Sequence, residues 1–477
     1  MIDNIKQFFI NAWNWTKRKV KTILIWTGII GVAVAAGVVD NPTKDISFQQ
    51  LSNVLESEGG FKITYNEYSE VDISKTNMSE VTLRKWGDET YIKISPSDEI
   101  KPTKKILGIT TDIKYTQENG KLKMKGDDTE IHLYPLEAKR GMEEGGFEYE
   151  IILKEKPVSN VIELNIETQG LNFYYQSEIS DERAQNTLDW AIKIGAKPNY
   201  PWKDSLPTTL QEAKRWMRPV NVLGSYAVYH KTQVGNYEAL GGKNYKTGKA
   251  YHIYRPQIED SNGWKVWGEL NINEKLGKLY VAMPIDFWNN ASYPIKHAAG
   301  LTFGWTADGG TDNSVMAIRA THGTPAEAGT ATKITAWISG GSSEKFQAAI
   351  YKGTALQSPQ TEEIDNWSSA SPETEEKDLD FTNGPAVTTD KHSVAIWSDL
   401  GISQIVISED NVSDAGILCN PKSGSLTYND WCSPMGSDCC DFYYDYDGDF
   451  RYSLYATYDA EGPPAAAAVN MEVIMIQ

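Results

Sequence analysis

The sequence predicts a mainly β protein: two or more β-sandwich or jelly-roll domains, a short helical insertion and an N-terminal membrane helix. Three observations carry this. Short runs of alternating apolar and polar residues recur from residue 61 to residue 458, and alternation puts one face of a strand on a core and the other in water. Stretches rich in Gly, Ser, Asp and Pro separate the runs, as in all-β domains. Helical spacing is confined to the leader and one insertion. At 477 residues the chain exceeds the usual size of a single core, so two or three domains are expected.

The leader, residues 1–44, carries a net charge of +4. Thr22 to Val39 is an uncharged run of 18 residues, preceded by Lys17, Arg18, Lys19 and Lys21. Positive charge before an apolar run keeps that end cytoplasmic and sends the downstream chain across the membrane. The run is just long enough for a signal anchor. Ala33 and Ala35 around Val34 also supply a small-x-small cleavage site, the mark of a signal peptide. Either way the membrane is engaged through residues 22–39 and the body is extracytoplasmic, membrane-anchored or secreted. Ile5, Phe8, Phe9, Ala12 and Trp13 share one helical face, suited to the inner membrane surface.

Residues 45–297 form a β-rich region. Strands are expected at 61–65, 81–83, 90–94, 113–115, 130–134, 147–153, 161–166 and 171–175, with turns at Asn119-Gly120 and Gly145-Gly146. The insertion, about 180–218, has Leu188, Ala191 and Ile192, then Leu210, Ala213, Trp216 and Met217, at helical spacing. Pro198, Pro201 and Pro207 divide it into two short helices. Strands resume at 225–229, 249–254, 264–270 and 279–283.

Residues 298–459 read as an acidic, jelly-roll-like β-sandwich with strands at 332–338, 345–351, 392–397, 404–407 and 451–458. This unit alone has a net charge of -16, against -18 for the whole chain. An acidic body argues against nucleic acid as a partner, since phosphate binding needs a Lys/Arg surface. All four cysteines lie here: Cys419, Cys432, Cys439 and Cys440. An even number in an exported chain predicts two disulfides. Vicinal geometry is strained, so Cys419 is expected to pair with Cys439 or Cys440, and Cys432 with the other. A zinc site ranks below this, because the C-x2-C spacing and a nearby His are missing. Residues 460–477 read as a linker and an apolar strand, Val473 to Ile476. That strand could pair with a sheet edge of this chain or of a neighbour, a route to self-assembly.

Two stretches carry a resemblance. Residues 248–256 (Gly-Lys-Ala-Tyr-His-Ile-Tyr-Arg-Pro) are followed by Asp260 to Gly263, Leu279 to Pro284, Asp286-Phe-Trp288 and Ala291-Ser-Tyr-Pro-Ile295. This is similar to a β segment of large secreted bacterial surface proteins, including those with Rhs/YD repeats. Here Lys296 and His297 stand where the family continues Ile-Asp-Pro, and no YD repeats are present downstream. The C-terminal unit resembles jelly-roll modules of phage and exported bacterial proteins in the order of its runs at 333–338, 348–351, 394–397 and 455–458. The resemblance implies a surface-displayed or virion-associated β protein and supplies no functional residues.

No nucleophile elbow, phosphate loop, Rossmann glycine pattern or H-E-x-x-H is present. The six histidines are scattered, so no metal site reads locally. Asp445, Asp447 and Asp449 around Gly448 resemble the opening of a calcium loop, in which alternate carboxylates converge on a hard cation. The twelfth position is Ala456 rather than Glu, and the plainer reading is a solvated acidic turn beside a disulfide. No other cofactor is implied. Trp367 and Trp431 fall in loops and are the candidate exposed rings for a glycan or cell-surface ligand. Carboxylate pairs such as Glu143-Glu144 read as surface charge. The sequence therefore points to an exported, membrane-tethered, non-catalytic surface or virion-associated protein that presents a binding module. The alternative is a secreted glycan-active hydrolase or lyase with paired carboxylates flanked by Trp in a groove.

Overall fold

Alternation in the sequence becomes alternation of burial. In the strands Ser69–Ser74 and Thr90–Pro96 every second residue is buried. Val71, Ile73, Ile92 and Ile94 enter a core, while Glu70, Asp72 and Lys93 stay half-exposed. Each apolar side chain so buried contributes roughly 1.5–3 kcal/mol.

The computed structural model describes residues 54–459 except 77–78, 107–108, 140, 197–202, 297, 299, 315–317, 326–327, 340–343, 354, 368–373, 399–405, 412–415, 422–430, 432–439 and 447–449. The leader, the tail 460–477, Cys432, Cys439, Asp447 and Asp449 lie outside the described residues, and with them the expectations placed there. Among the described residues no helix is long and apolar enough to cross a membrane.

The described chain is mainly β, in several antiparallel sheets. The first sheet has eight strands in the order Val54–Glu56, Gly60–Thr64, Ser69–Ser74, Val81–Lys85, Thr90–Pro96, Val161–Gln169, Lys278–Ala282 and Glu269–Asn273. The second, also of eight, runs Leu171–Tyr175, Tyr226–His230, Lys249–Ile253, Leu301–Gly304, Gly146–Leu153, Thr129–Leu136, Lys121–Lys125 and Thr116–Glu118. Leu301–Gly304 belongs to this sheet, beyond the boundary the sequence suggests at 297. Gly170 makes the one-residue passage from the first sheet to the second. Its φ is +66°, and a Cβ there would stand 2.3 Å from the carbonyl oxygen of Glu89, so only glycine fits.

The third sheet has nine strands, built around Leu454–Asp459, Gly329–Ser339 and Val406–Asn411. Its end is extended by Asn244–Lys246 and Gly235–Asn236, which come from the middle of the chain; Gly235–Asn236 runs parallel to Leu454–Asp459. Tyr237 stacks on Tyr458 beside this junction, with ring centroids 5.2 Å apart. The fourth sheet has seven strands around Glu344–Lys352, His392–Ser398 and Ile318–Gly323. One connected cluster of buried residues draws on all four sheets, for example Leu83, Phe147, Ile334 and Ile396.

The predicted insertion folds as helices α1 (Asp181–Gly195) and α2 (Leu210–Met217). Thr209 caps α2, its side chain accepting the Glu212 N–H, while the Glu212 carboxylate accepts the Thr208 N–H at 2.9 Å. Ala184, Leu188, Ala213 and Met217 close the small core between the helices. A third helix, α3 (Ile285–Asn290), covers the Asp286-Phe-Trp288 stretch.

Three expected strands differ. Residues 113–115 lie between the strands Ile109–Asp112 and Thr116–Glu118. The run 264–270 splits into Lys265–Trp267 and Glu269–Asn273, which belong to different sheets. Gly268 separates them, wedged so closely that a Cβ would meet Ile258, Val281 and Pro256 at 3.0–3.2 Å. The run 451–458 breaks at Ser453, whose hydroxyl oxygen accepts the Gly309 N–H at 2.7 Å.

Candidate functional site

The edge strands Glu269–Asn273 of the first sheet and Leu171–Tyr175 of the second flank a cleft of about 530 Å³. Side chains alternate along a strand, so Glu269 and Asn271 project to one side while Leu270 is buried. Arg255 comes just after the strand Lys249–Ile253. Its Nε donates to the carbonyl of Gly268 at 3.0 Å, and its guanidinium lies 5.7 Å from the centre of the Trp267 ring. Tyr175 is half-exposed and meets Tyr226 edge-on at 5.3 Å. The Tyr226 hydroxyl accepts the Ile272 N–H at 3.2 Å, tying the two sheets together beneath the cleft. Gly224, at φ +77°, keeps the floor open: a Cβ would stand 3.4 Å from Arg255 Cδ and 3.5 Å from the Tyr175 hydroxyl.

Arg255 forms no ion pair among the described residues, and Glu269, Asn271 and the Tyr175 hydroxyl make no side-chain hydrogen bond there. Burial lowers the Arg255 pKa from its ordinary value. A guanidinium starts so high that it stays charged all the same. The cleft thus offers an anchored donor in Arg255, open acceptors in Glu269 and Asn271, and an aromatic face.

A second concavity, of about 350 Å³, is different in kind. The Glu144 carboxylate lies 2.5 Å from the ammonium of Lys85 and 2.9 Å from that of Lys246, and accepts from Asn66 at 3.0 Å. Burial opposes ionisation of Glu144, but the two ammonium groups outweigh it and hold the carboxyl well below the usual range. Lys85 is buried, and burial lowers its pKa despite the attraction of Glu144. Trp86 lines the same wall with φ 57°, pinned by its indole N–H to Asn244 O (2.9 Å) and by Lys243 to its own carbonyl (2.8 Å). Beside it, Glu89 takes Lys243 at 2.5 Å and the Tyr245 hydroxyl at 2.9 Å. The Tyr68 hydroxyl is pushed up to about 12 by burial and by its bond to Glu238. The charges here are matched within the fold, which makes this a clamp between distant segments. Glu144, expected as surface charge, is its centre; neighbouring Glu143 is exposed.

Two arrangements of catalytic residue types are also engaged internally. Glu148 and Glu150 share a face of one strand but are each 5% exposed. Glu148 accepts from the Thr302 hydroxyl at 2.5 Å, while Glu150 lies 3.3 Å from both Lys121 and His132. Ser225 and His252 meet at 2.6 Å, fully buried. The Ser225 hydroxyl also contacts the carbonyl of Val222, and both side chains are closed off from solvent.

The residues singled out from the sequence fall elsewhere. Trp431, expected to be exposed, is buried at 8%. Its indole N–H donates to Gln347 at 2.6 Å, and its ring packs edge-on against Trp397 at 5.4 Å and tilted against Tyr351 at 6.3 Å. Trp431 is therefore a packed ring of the fourth sheet rather than an exposed one. Trp367 ends the strand Ile364–Trp367, paired with Glu344; its side chain lies outside the described residues. Cys419 and Cys440 lie on neighbouring strands of the fourth sheet, facing Tyr443 and Pro421 respectively. Asp445 faces Ile417 on the same pair of strands. Among the described residues no group of three or more His, Cys, Asp or Glu is placed to hold a metal ion. Arg255, Glu269 and Asn271 carry no local signal of their role, since the cleft gathers residues from 175 to 271.

No family model matches the chain, and no curated protein is significantly similar to it.

Proposed function

We propose that the protein is exported and membrane-tethered, and that it acts without catalysis as a surface or virion-associated protein presenting a ligand-binding module. The leader supports the compartment: a basic segment, then an uncharged run of 18 residues. Four cysteines gathered in one acidic unit fit an oxidising location. The third and fourth sheets are read as a jelly-roll-like sandwich, supported by inward residues of both, such as Ile334 and Leu454 with Phe346 and Ile396, in one buried cluster. The observation that carries the binding role is the cleft at Arg255. There Arg255 is anchored on Gly268 O, and Glu269, Asn271 and the Tyr175 hydroxyl have no side-chain partner among the described residues, whereas Lys85, Glu144 and Glu150 are paired inside the fold.

Cell fractionation with N-terminal sequencing tests the compartment. The expected product is membrane-bound or secreted, with its body open to added protease and its four thiols labelled only after reduction. A protease-protected cytosolic body with four free thiols would sink the reading.

A further inference from the structure

We infer that the Arg255 cleft is a saccharide site: it recognises the hydroxyl groups of a short glycan, with Tyr175 packing against a sugar face. The inference rests on the proposed role as a binding protein and deepens it by naming the ligand class.

The electrostatics select the ligand. Arg255 and Glu269 carry opposite charges into one cleft and attract each other without closing to an ion pair, so the lining has no net charge yet presents both strong donors and strong acceptors. A phosphate or nucleic acid would gain from the guanidinium and be repelled by the carboxylate. An apolar ligand would strand the guanidinium, the carboxylate and the Asn271 amide, a costly mismatch. A polyol meets both demands, because each hydroxyl donates once and accepts twice. Asn271 adds a donor and an acceptor beside Glu269 on the same strand.

The shape agrees. A cleft of about 530 Å³ falls within the range of small-molecule sites. Tyr175 is 50% exposed and braced edge-on by Tyr226, which leaves aromatic surface open for the apolar C–H face of a sugar. Gly224 removes the side chain that would crowd both Arg255 and Tyr175. The site is also preorganised. The Gly268 carbonyl holds Arg255 Nε at 3.0 Å, and the strand Glu269–Asn273 is paired to Lys278–Ala282. Binding then has chiefly the Glu269 and Asn271 side chains to order.

The test uses the full chain in detergent on an array of neutral hexose, N-acetylhexosamine and uronic-acid oligosaccharides, with a peptide array in parallel. The wild type is expected to bind a subset of the saccharides. Glu269→Gln, Arg255→Ala and Tyr175→Ala should each weaken that binding roughly tenfold to a hundredfold, with Tm unchanged. Glu269→Gln is isosteric and exposed, so it reports on recognition even if Arg255→Ala disturbs the fold. Saccharide binding that all three variants retain would overturn the cleft as the site and leave the binding role intact. No saccharide bound, or cleft-dependent binding of peptides instead, would overturn the ligand class. Export is judged separately by fractionation, so failure of the broader reading is distinguishable.

Discussion

Replacing Glu144 by Gln tests whether the charge clamp between Lys85 and Lys246 holds the body together. The substitution keeps the side-chain shape and an acceptor oxygen but removes the only carboxylate within 4 Å of Lys85 among the described residues. Lys85 is 4% exposed, so its ammonium is poorly solvated, whereas the Lys246 side chain is 30% exposed and can be solvated. Breaking a buried pair from one side costs about 3–5 kcal/mol, and the retained acceptor places Gln near the lower figure. Unfolding entropy of about 2.1 cal/mol/K per residue, over the roughly 430 residues from Ser47 to Gln477, gives about 0.9 kcal/mol/K. A loss of about 3 kcal/mol then lowers Tm by about 3 °C at pH 7 if the body melts as one unit.

The pH dependence comes from the two shifts. Glu144 has a depressed folded-state pKa, so its contribution is complete above the unfolded carboxyl value of about 4.3 and is lost as pH falls toward the folded value. Lys85 is lowered in the folded state, so stability rises with pH in the window below the unfolded lysine value of about 10.4. Without Glu144 the Lys85 value falls further and that window widens toward neutrality. The deficit of Glu144→Gln should therefore be largest between about pH 5 and 8, shrinking on either side. Calorimetry from pH 3 to 10 reads this directly, and adding Lys85→Met should recover part of the loss. A Tm change under about 1 °C with no pH dependence would refute the clamp.

Three other substitutions probe the packing. Trp431→Ala removes the ring between Trp397 and Tyr351 and strands Gln347, and should destabilise the protein by about 3–5 kcal/mol in urea titration; unchanged stability with lost ligand binding would restore Trp431 as a surface platform. Gly170→Ala places a Cβ 2.3 Å from Glu89 O at φ +66° and should cost about 1–3 kcal/mol, read in the same titration. Tyr237→Ala removes the stack on Tyr458 and should raise hydrogen exchange in Gly235–Asn236 and Leu454–Asp459 before other strands of the third sheet.

Strands with clean alternation are legible in the sequence because burial obeys period 2 whatever the partner strand. The run at 90–94 sits within the strand Thr90–Pro96, and 161–166 within Val161–Gln169, both alternating in burial. Ser69–Ser74 and Lys121–Lys125 are harder to see because each carries only two large apolar residues. α3 is too short, at six residues, for helical periodicity to declare itself. Trp431 misleads for a related reason: its neighbours in sequence are polar, and the groups that bury it come from residues 347, 351 and 397. The charge clamp is illegible on the same grounds, since Glu144 meets lysines 59 and 102 residues away. A dipeptide of glutamates says nothing of which one turns inward.

The contrast between the clamp and the cleft is set by burial rather than by residue type. For Lys85 a counter-charge is compulsory, because an unpaired buried ammonium costs several kcal/mol. Arg255 is half-exposed and Glu269 exposed, and an ion pair there would contribute about 0–1 kcal/mol. Folding therefore gains little by closing them on each other: Gly268 O holds Arg255 Nε, and Glu269 on the next residue attracts the guanidinium without closing to an ion pair. Leaving such a pair open sacrifices little stability, and it preserves a donor and an acceptor that any ligand can engage without first breaking a strong contact. That asymmetry is why the proposed ligand site is the Arg255 cleft rather than the more highly charged pocket around Glu144.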